Sequence, residues 1–115
     1  MLFRSVYVIE WYNNRIQKFD SSGTFLAKWG DNGSGDGQFN YATGIAVDSS
    51  GNVYAADRGN SRILRFDRQG RLLGSWGSVG RQPGQLLQPW GVALGSSGSI
   101  YCLDSWNNRV QVINW

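Results

Sequence analysis

The sequence predicts an all-β protein assembled from repeated units of four short strands. An ungapped internal repeat is the first observation, since residues 6–52 and 53–99 share 19 identities in 47 positions. Tyr7, Tyr54 and Tyr101 mark the period, because each lies 47 residues after the last (54 − 7 and 101 − 54). The second observation is the alternation of short apolar runs with glycine-containing turns. No segment has the apolar period of a helix, so the repeat itself must be built from strands.

The complete unit gives the element order. Apolar or alternating runs at 44–47, 53–57, 62–66 and 72–76 predict four strands, separated by turns rich in Gly, Asn, Asp and Ser. Residues 62–66, R-I-L-R-F, read as a half-buried strand. Four-stranded units of roughly 40–50 residues are typical of β-propeller blades. The fold class predicted is therefore a β-propeller built of antiparallel meanders.

The repeat also resembles a known family. The stretch V-Y-A-A-D-R-G-N-S-R-I-L-R-F-D-R-Q-G at 53–70, followed by W-G and then G-Q-L-L-Q-P-W-G-V-A, is similar to the NHL repeat. The usual pattern of that repeat is G-x-A-V-D-x-x-G-x-V-Y-V-A-D-x-x-N-x-R-I-Q-x-F-D-x-x-G, and the resemblance covers residues 5–115. It implies a six-bladed, TolB-like propeller of the kind found in tripartite-motif ubiquitin ligases, translational repressors and many bacterial proteins.

The units form a single region, 1–115, that falls short of a ring. Residues 1–52 supply a partial blade and the first strand of the next, 53–99 the second repeat, and 100–115 a partial third repeat. Propellers close with about 4–8 blades. We therefore expect an incomplete propeller, either a fragment that needs further blades from a longer parent chain or a unit that self-associates to close a ring.

Composition argues against catalysis. The chain has no histidine and one cysteine, Cys102, which removes the commonest general base and zinc ligand and excludes an internal disulfide. Some propellers of this broad type resemble lyases that depend on histidines and bound metal, which this segment cannot supply. No Ser-base or paired-carboxylate arrangement stands out, so we expect neither enzyme activity nor a cofactor. No apolar run approaches the ~20 residues that cross a membrane, so no membrane partner is expected.

A glycine-rich loop, D-N-G-S-G-D-G at 31–37, is the one segment with the oxygen spacing of a calcium site. It lacks the terminal Glu of an EF-hand loop, and the next unit has Ser78 and Pro83 where this one has Asp31 and Asp36. A flexible glycine loop is the preferred interpretation, and no metal site is predicted.

The turns that differ between units are the predicted recognition surface. Repeat scaffolds usually bind partners where their repeats diverge, and aromatic and arginine side chains are enriched at binding hot spots. The alternative for each residue is packing against a neighbouring blade. The predicted partner-binding residues are Trp11, Tyr12, Tyr41, Arg58, Arg81, Trp90 and Trp106.

The turn that is repeated has a structural interpretation. Asp57 ends one strand and Arg62 begins the next, with Asn60 between them, which predicts a charge-assisted pair across an Asx-type turn. A residue needed once for chemistry would not be expected in every unit. The corresponding residues of the other units are Glu10, Asn13 and Arg15, and Asp104, Asn107 and Arg109.

A protein partner is the first prediction, and single-stranded RNA is the second. Certain NHL propellers read RNA on a basic face, and the net charge here is +3. An RNA site needs a continuous basic track with stacking aromatics. At the variable turns, only Arg58, Arg81, Trp90 and Trp106 could contribute to one.

Overall fold

The computed structural model describes residues 4–115, so the first three residues of the leading partial blade lie outside the description. Three antiparallel sheets follow one another along the chain with three, four and three strands, which confirms the predicted incomplete propeller. The first sheet holds β1 (Val6–Glu10), β2 (Arg15–Phe19) and β3 (Phe25–Trp29). The second holds β4 (Ala42–Val47), β5 (Val53–Asp57), β6 (Arg62–Phe66) and β7 (Leu72–Trp76). The third holds β10 (Gly91–Leu94), β11 (Ile100–Asp104) and β12 (Arg109–Ile113).

Aspartates set three of the tight turns that reverse the chain between strands, at 20–24, 48–52 and 67–71. The Oδ1 atom of Asp48 accepts hydrogen bonds from the N–H groups of Ser50 and Asn52, both at 2.9 Å. Asp20 and Asp67 make the same pair of bonds two and four residues ahead. Such Asx turns satisfy backbone donors locally, so each strand can pair with the next after only five residues.

The second sheet is the core of the molecule because both of its faces are covered. In β5, Val53 and Ala55 pack toward the first sheet, whereas Tyr54 and Ala56 pack toward the third. All five residues of β5 are buried, which explains why this strand is continuously apolar up to Asp57. Sheet-to-sheet packing of this kind is what holds neighbouring blades together.

The outward faces of the two flanking sheets are covered by no described residue. Val8 of β1 is 41% exposed, and Val110 and Val112 of β12 are 58% and 56% exposed. The three sheets do not close into a ring, so these apolar positions lie where a closed propeller would pack a further blade. Among residues 4–115 no helix is long and apolar enough to cross a membrane.

The connections between sheets contain structure that the sequence did not indicate. A two-residue parallel pair joins β8 (Ser78–Val79) to β9 (Gln85–Leu86), and an isolated parallel bridge joins Asn32 to Phe39 in the preceding connection. The glycine-rich loop at 31–37 is folded over Gln38, whose Oε1 atom accepts the N–H of Gly35 at 2.9 Å. Two short 3-10 turns, Arg58–Asn60 and Ser105–Asn107, follow β5 and β11.

Candidate partner-binding face

Alternating strand direction divides the turns between two ends of the molecule. We call one the variable end, formed by residues 11–14, 30–41, 58–61, 77–90 and 105–108. The other is the tight-turn end, formed by residues 20–24, 48–52, 67–71 and 95–99. All the residues predicted to bind a partner lie at the variable end.

Three of the predicted residues form an aromatic cluster. The Trp11 ring lies 5.0 Å from the Tyr41 ring and 5.9 Å from the Tyr12 ring, measured between ring centroids. Their exposed fractions are 49% for Trp11, 76% for Tyr12 and 41% for Tyr41. The cluster is therefore packed within itself while most of Tyr12 faces solvent, so it combines a fixed shape with accessible apolar surface.

Backbone geometry places Tyr41 in this cluster. Tyr41 has a left-handed backbone, with φ of 57°, and its N–H donates to the Oδ1 atom of buried Asn14 at 2.8 Å. The next unit repeats the contact, since the N–H of Gln88 donates to the Oγ atom of Ser61 at 3.1 Å. Both connections between the sheets have this backbone arrangement, but only the first places an aromatic ring on it.

A second pair of predicted residues meets at the next unit. The Arg58 guanidinium lies 5.3 Å from the centroid of the Trp90 ring, and Trp90 is 52% exposed. Arg58 occupies the repeat position of Trp11, so in both units this position contacts an aromatic side chain from the connection to the following sheet. The Arg58 Nε atom is buried and has no hydrogen-bond partner among residues 4–115. Because that atom is buried, a partner would meet the exposed face of Trp90 and the stacked guanidinium and not the Nε donor.

Arg81 and Trp106 are exposed at the same end but belong to neither of these two groups. Trp106 is 59% exposed and lies in the second 3-10 turn, which is fixed by a bond from its N–H to the carbonyl of Leu87 at 3.2 Å. The structure thus brings five of the seven predicted residues into two local groups and leaves the other two as single exposed side chains.

The repeated Asp-x-x-Asn-x-Arg element forms the predicted ion pair. Arg62 Nε donates to Asp57 Oδ2 at 2.8 Å, and Asn60 Nδ2 donates to the same oxygen at 2.9 Å. The Asp57 Oδ1 atom accepts the N–H of Asn40 at 2.8 Å, so a fully buried carboxylate receives three hydrogen bonds. Burial is compensated by these contacts, as an interior charge requires.

The same element also binds the connection that precedes it, which sequence reasoning missed. Arg62 donates from Nη2 to the carbonyls of Gly35 and Gln38, each at 2.9 Å, while Asn60 donates to the carbonyl of Gly33 at 2.9 Å. We call the whole arrangement the interblade clamp. No side-chain signal could reveal it, since the acceptors are backbone atoms 24–27 residues earlier.

A second interblade clamp confirms the pattern in the third sheet. Asp104 accepts from Asn107 at 2.9 Å and from Arg109 at 2.8 Å, and Arg109 donates to the carbonyls of Gln82 and Gln85 at 3.0 Å. Burial raises the pKa of Asp104, but hydrogen bonds from the Leu87 N–H and from three side chains outweigh it and lower the pKa. The carboxylate therefore stays ionised inside the fold.

In the first unit the acid and the arginine form the same ion pair, but they make no bond to a preceding connection among residues 4–115. Glu10 accepts hydrogen bonds from Arg15, Asn13 and Gln17, and the bond from Arg15 is the main reason that the Glu10 pKa falls to about 2. These partners all belong to the same hairpin. Glu10 and Arg15 are also more exposed than their counterparts, at 21% and 34% of their side chains.

Charges at the variable end balance. The charges of Arg58 and Arg81 are matched in number by those of Asp31 and Asp36, which form no salt bridge among residues 4–115, while the acids of the Asp-x-x-Asn-x-Arg elements are paired with arginines. Asp31 uses its Oδ1 atom to accept the following N–H, of Asn32, at 2.9 Å. Within the described part of the chain, no three His, Cys, Asp or Glu residues come together as a metal site would need. The variable end therefore exposes aromatic side chains but has no net charge that would create a strong electrostatic potential.

The NHL repeat model matches residues 39–66 and 86–113. The chain carries NHL repeats. The two matches begin 47 residues apart, which is the period read from the sequence. Each match runs from a core residue of an interblade connection to the end of the third strand of a blade, so each NHL repeat contains one complete Asp-x-x-Asn-x-Arg element.

Solved structures confirm the propeller fold. A catalytically inactive virginiamycin B lyase from Staphylococcus aureus, crystallised with quinupristin, is 18% identical with a TM-score of 0.71. An auxiliary nutrient binding protein from Bacteroides thetaiotaomicron is 15% identical with a TM-score of 0.73. Each match covers 96% of this chain but 34% of the other, so the chain spans about a third of their length. At these identities the likeness shows the fold alone. No curated protein matches the sequence.

Proposed function

We propose that this NHL-repeat chain is a non-catalytic binding module that recognises a protein partner through its variable end. The observation that carries the proposal is the exposed aromatic cluster of Trp11, Tyr12 and Tyr41. Tight packing of the three rings lowers the entropy lost on binding, because they are already held in place. Large aromatic side chains of this kind dominate the energetics of protein interfaces.

Charge favours a protein over RNA as the partner. Two arginines and two aspartates balance at the variable end, whereas RNA binding needs a continuous basic track. The stacking of Arg58 on Trp90 is the observation that favours RNA as the second candidate, since arginine and tryptophan both stack on bases. The absence of histidine from the chain supports the non-catalytic part of the proposal.

The protein-partner proposal is tested with a double variant, Trp11→Ala/Tyr12→Ala. Proteins captured from a lysate by the unaltered chain are quantified by mass spectrometry and compared with those captured by the variant. We expect the specific partners to be lost by at least about tenfold, as for a hot-spot pair. Phe25→Ala/Leu26→Ala is the matched control, because these β3 residues are 51% and 49% exposed but lie outside the variable end. Equal loss in both variants would contradict the proposal.

The RNA alternative has its own measurement. Binding to a random single-stranded RNA pool is measured at two salt concentrations for the unaltered chain and for Arg58→Ala/Arg81→Ala. Tight binding that weakens with salt and is lost in this variant establishes the RNA alternative over the protein partner. Arg68→Ala/Arg71→Ala removes the same charge from the tight-turn end, at residues 67–71, and is the control.

A further inference from the structure

The tight-turn end carries a groove between the first and second sheets, on the opposite side from the proposed partner face. Its volume is about 820 Å³, and three cationic side chains line it: Arg4, Lys18 and Arg68. Among residues 4–115, none of these three cations takes part in a salt bridge. The groove also includes Ser49 and Ser50, whose hydroxyl groups can donate hydrogen bonds.

Hydrogen bonds to backbone carbonyls hold two of the cations in place. Lys18 Nζ donates to the carbonyl of Arg68 at 2.9 Å, and Arg68 Nη2 donates to the carbonyl of Ser50 at 2.9 Å. This chain of contacts links β2 of the first sheet to two turns of the second. Lys18 Nζ also lies 5.6 Å from the centroid of the Tyr7 ring. Within residues 4–115 each of the two cations donates one hydrogen bond, so each has further N–H donors to offer.

Asp48 is the one carboxylate in the lining, and its oxygens are already occupied. It accepts hydrogen bonds from the N–H groups of Ser50 and Asn52, from Asn52 Nδ2 at 3.0 Å and from the Tyr54 hydroxyl at 3.1 Å. The carboxylate is therefore turned to its own hairpin instead of pairing with a cation. Three cations against one carboxylate leave the groove positive.

The next groove along keeps a cation at the repeat position of Lys18 but not at that of Arg68. It lies between the second and third sheets, has a volume of about 360 Å³ and shares the turn after β4. Residues 47 positions after Lys18 and Arg68 are Arg65 and Trp115. Arg65 is stacked on aromatic rings, 5.6 Å from the centroid of Tyr54 and 5.8 Å from that of Trp115, and it does not line the second groove. Lys18 makes the same kind of contact, 5.6 Å from the centroid of the Tyr7 ring, but it lines the first groove beside Arg4 and Arg68.

We propose that the groove between the first and second sheets binds a small phosphate-bearing ligand, with Lys18 and Arg68 as the principal contacts to phosphate oxygens. A guanidinium can bind two phosphate oxygens at once, and an ammonium adds a point charge beside it. Arg4 and the hydroxyls of Ser49 and Ser50 complete the set of donors. The site is independent of the partner face, which lies at the other end of the molecule.

Inorganic pyrophosphate is the probe that tests the site. Its binding to the unaltered chain is followed by calorimetry and by amide chemical shifts, and we expect saturation with the largest shifts at 18, 49–51 and 68. Lys18→Met and Arg68→Met should each weaken binding at least about tenfold, because each removes a charge-assisted contact. Lys18→Arg keeps the charge and should retain binding.

Arg71→Met is the matched control, since Arg71 lies at the same end but pairs with Asp67 at 2.7 Å and does not line the groove. Its affinity for pyrophosphate should stay within about twofold of the unaltered chain. The proposal is overturned if the unaltered chain shows no saturable binding, or if Arg71→Met weakens binding as much as Lys18→Met does. Amide spectra of each variant without ligand establish that the fold is intact, and Arg68→Met provides the test if Lys18→Met does not fold, because Arg68 is exposed.

Discussion

Removing the carboxylate at the centre of an interblade clamp should destabilise the protein strongly. Asp57 is fully buried and accepts three hydrogen bonds, from the Asn40 N–H, Asn60 Nδ2 and Arg62 Nε, at 2.8–2.9 Å. Asp57→Ala leaves all three donors without their acceptor, including a guanidinium whose side chain is only 15% exposed. Breaking a buried ion pair by removing one partner costs about 3–5 kcal/mol, and we expect a loss in this range.

Urea denaturation followed by tryptophan fluorescence measures that loss. With slopes of about 1–3 kcal/mol per molar urea for small proteins, the midpoint should fall by about 1 M or more. Asp57→Asn should lose less than Asp57→Ala, because an amide oxygen can still accept the Asn40 N–H.

The first unit provides the control for this experiment. Glu10→Ala removes the corresponding acid, but Glu10 is partly exposed, and its hydrogen-bond partners within residues 4–115 all belong to its own hairpin. Its loss should therefore change the urea midpoint much less. Equal effects of Asp57→Ala and Glu10→Ala would refute the reasoning, because they would mean that the bonds to the preceding connection contribute nothing.

Three further predictions follow from glycine geometry, thiol burial and carboxylate ionisation. Gly23 and Gly70 occupy the same turn position with φ of +87° and +88°, but a Cβ at Gly70 would lie 2.6 Å from the Trp29 ring, whereas one at Gly23 would meet nothing within 4 Å. Gly23→Ala should lower the free energy of unfolding by about 1 kcal/mol and Gly70→Ala by at least about twice as much, measured by urea denaturation. Cys102 is fully buried, which raises its pKa to about 12, so a thiol reagent should react only as fast as the protein unfolds; rapid reaction of the folded protein would contradict this. Asp104 has a pKa below its ordinary 3.8, so the unfolded state binds its proton more tightly and stability should fall as the pH drops below about 4; urea midpoints from pH 6 to pH 2 test the trend, and Asp104→Asn should flatten it.

Much of the fold could be predicted because its signals are local and repeated. Strands β5, β6 and β7 have the predicted bounds, since alternation and turn residues define both ends of each. The ion pair of Asp57 with Arg62 was also predictable, because the two residues face each other across one hairpin. The parallel pairing of β8 with β9 was not, since two-residue strands carry no periodic pattern.

The candidate sites could be predicted only in part, because they depend on contacts between distant residues as well as on the repeat pattern. Divergence between units located the variable end and its seven residues, but not that Trp11 meets Tyr41 or that Arg58 meets Trp90. Each of these contacts joins a turn within one blade to the connection that leads into the next. A repeat shows which positions vary, whereas the packing of neighbouring blades decides which of them touch.

The amino-acid sequence by itself determined the period of 47 residues, the strands within it and the turn that pairs an acid with an arginine. The tertiary structure decided what those turns do. It placed the Arg62 guanidinium against backbone carbonyls of the preceding connection, and it brought Lys18 and Arg68 from two sheets into one groove. The physical reason is that strand formation depends on side chains a few residues apart in the sequence. A clamp or a groove is made by atoms that meet only when one blade packs on the next, and many of those atoms belong to the backbone.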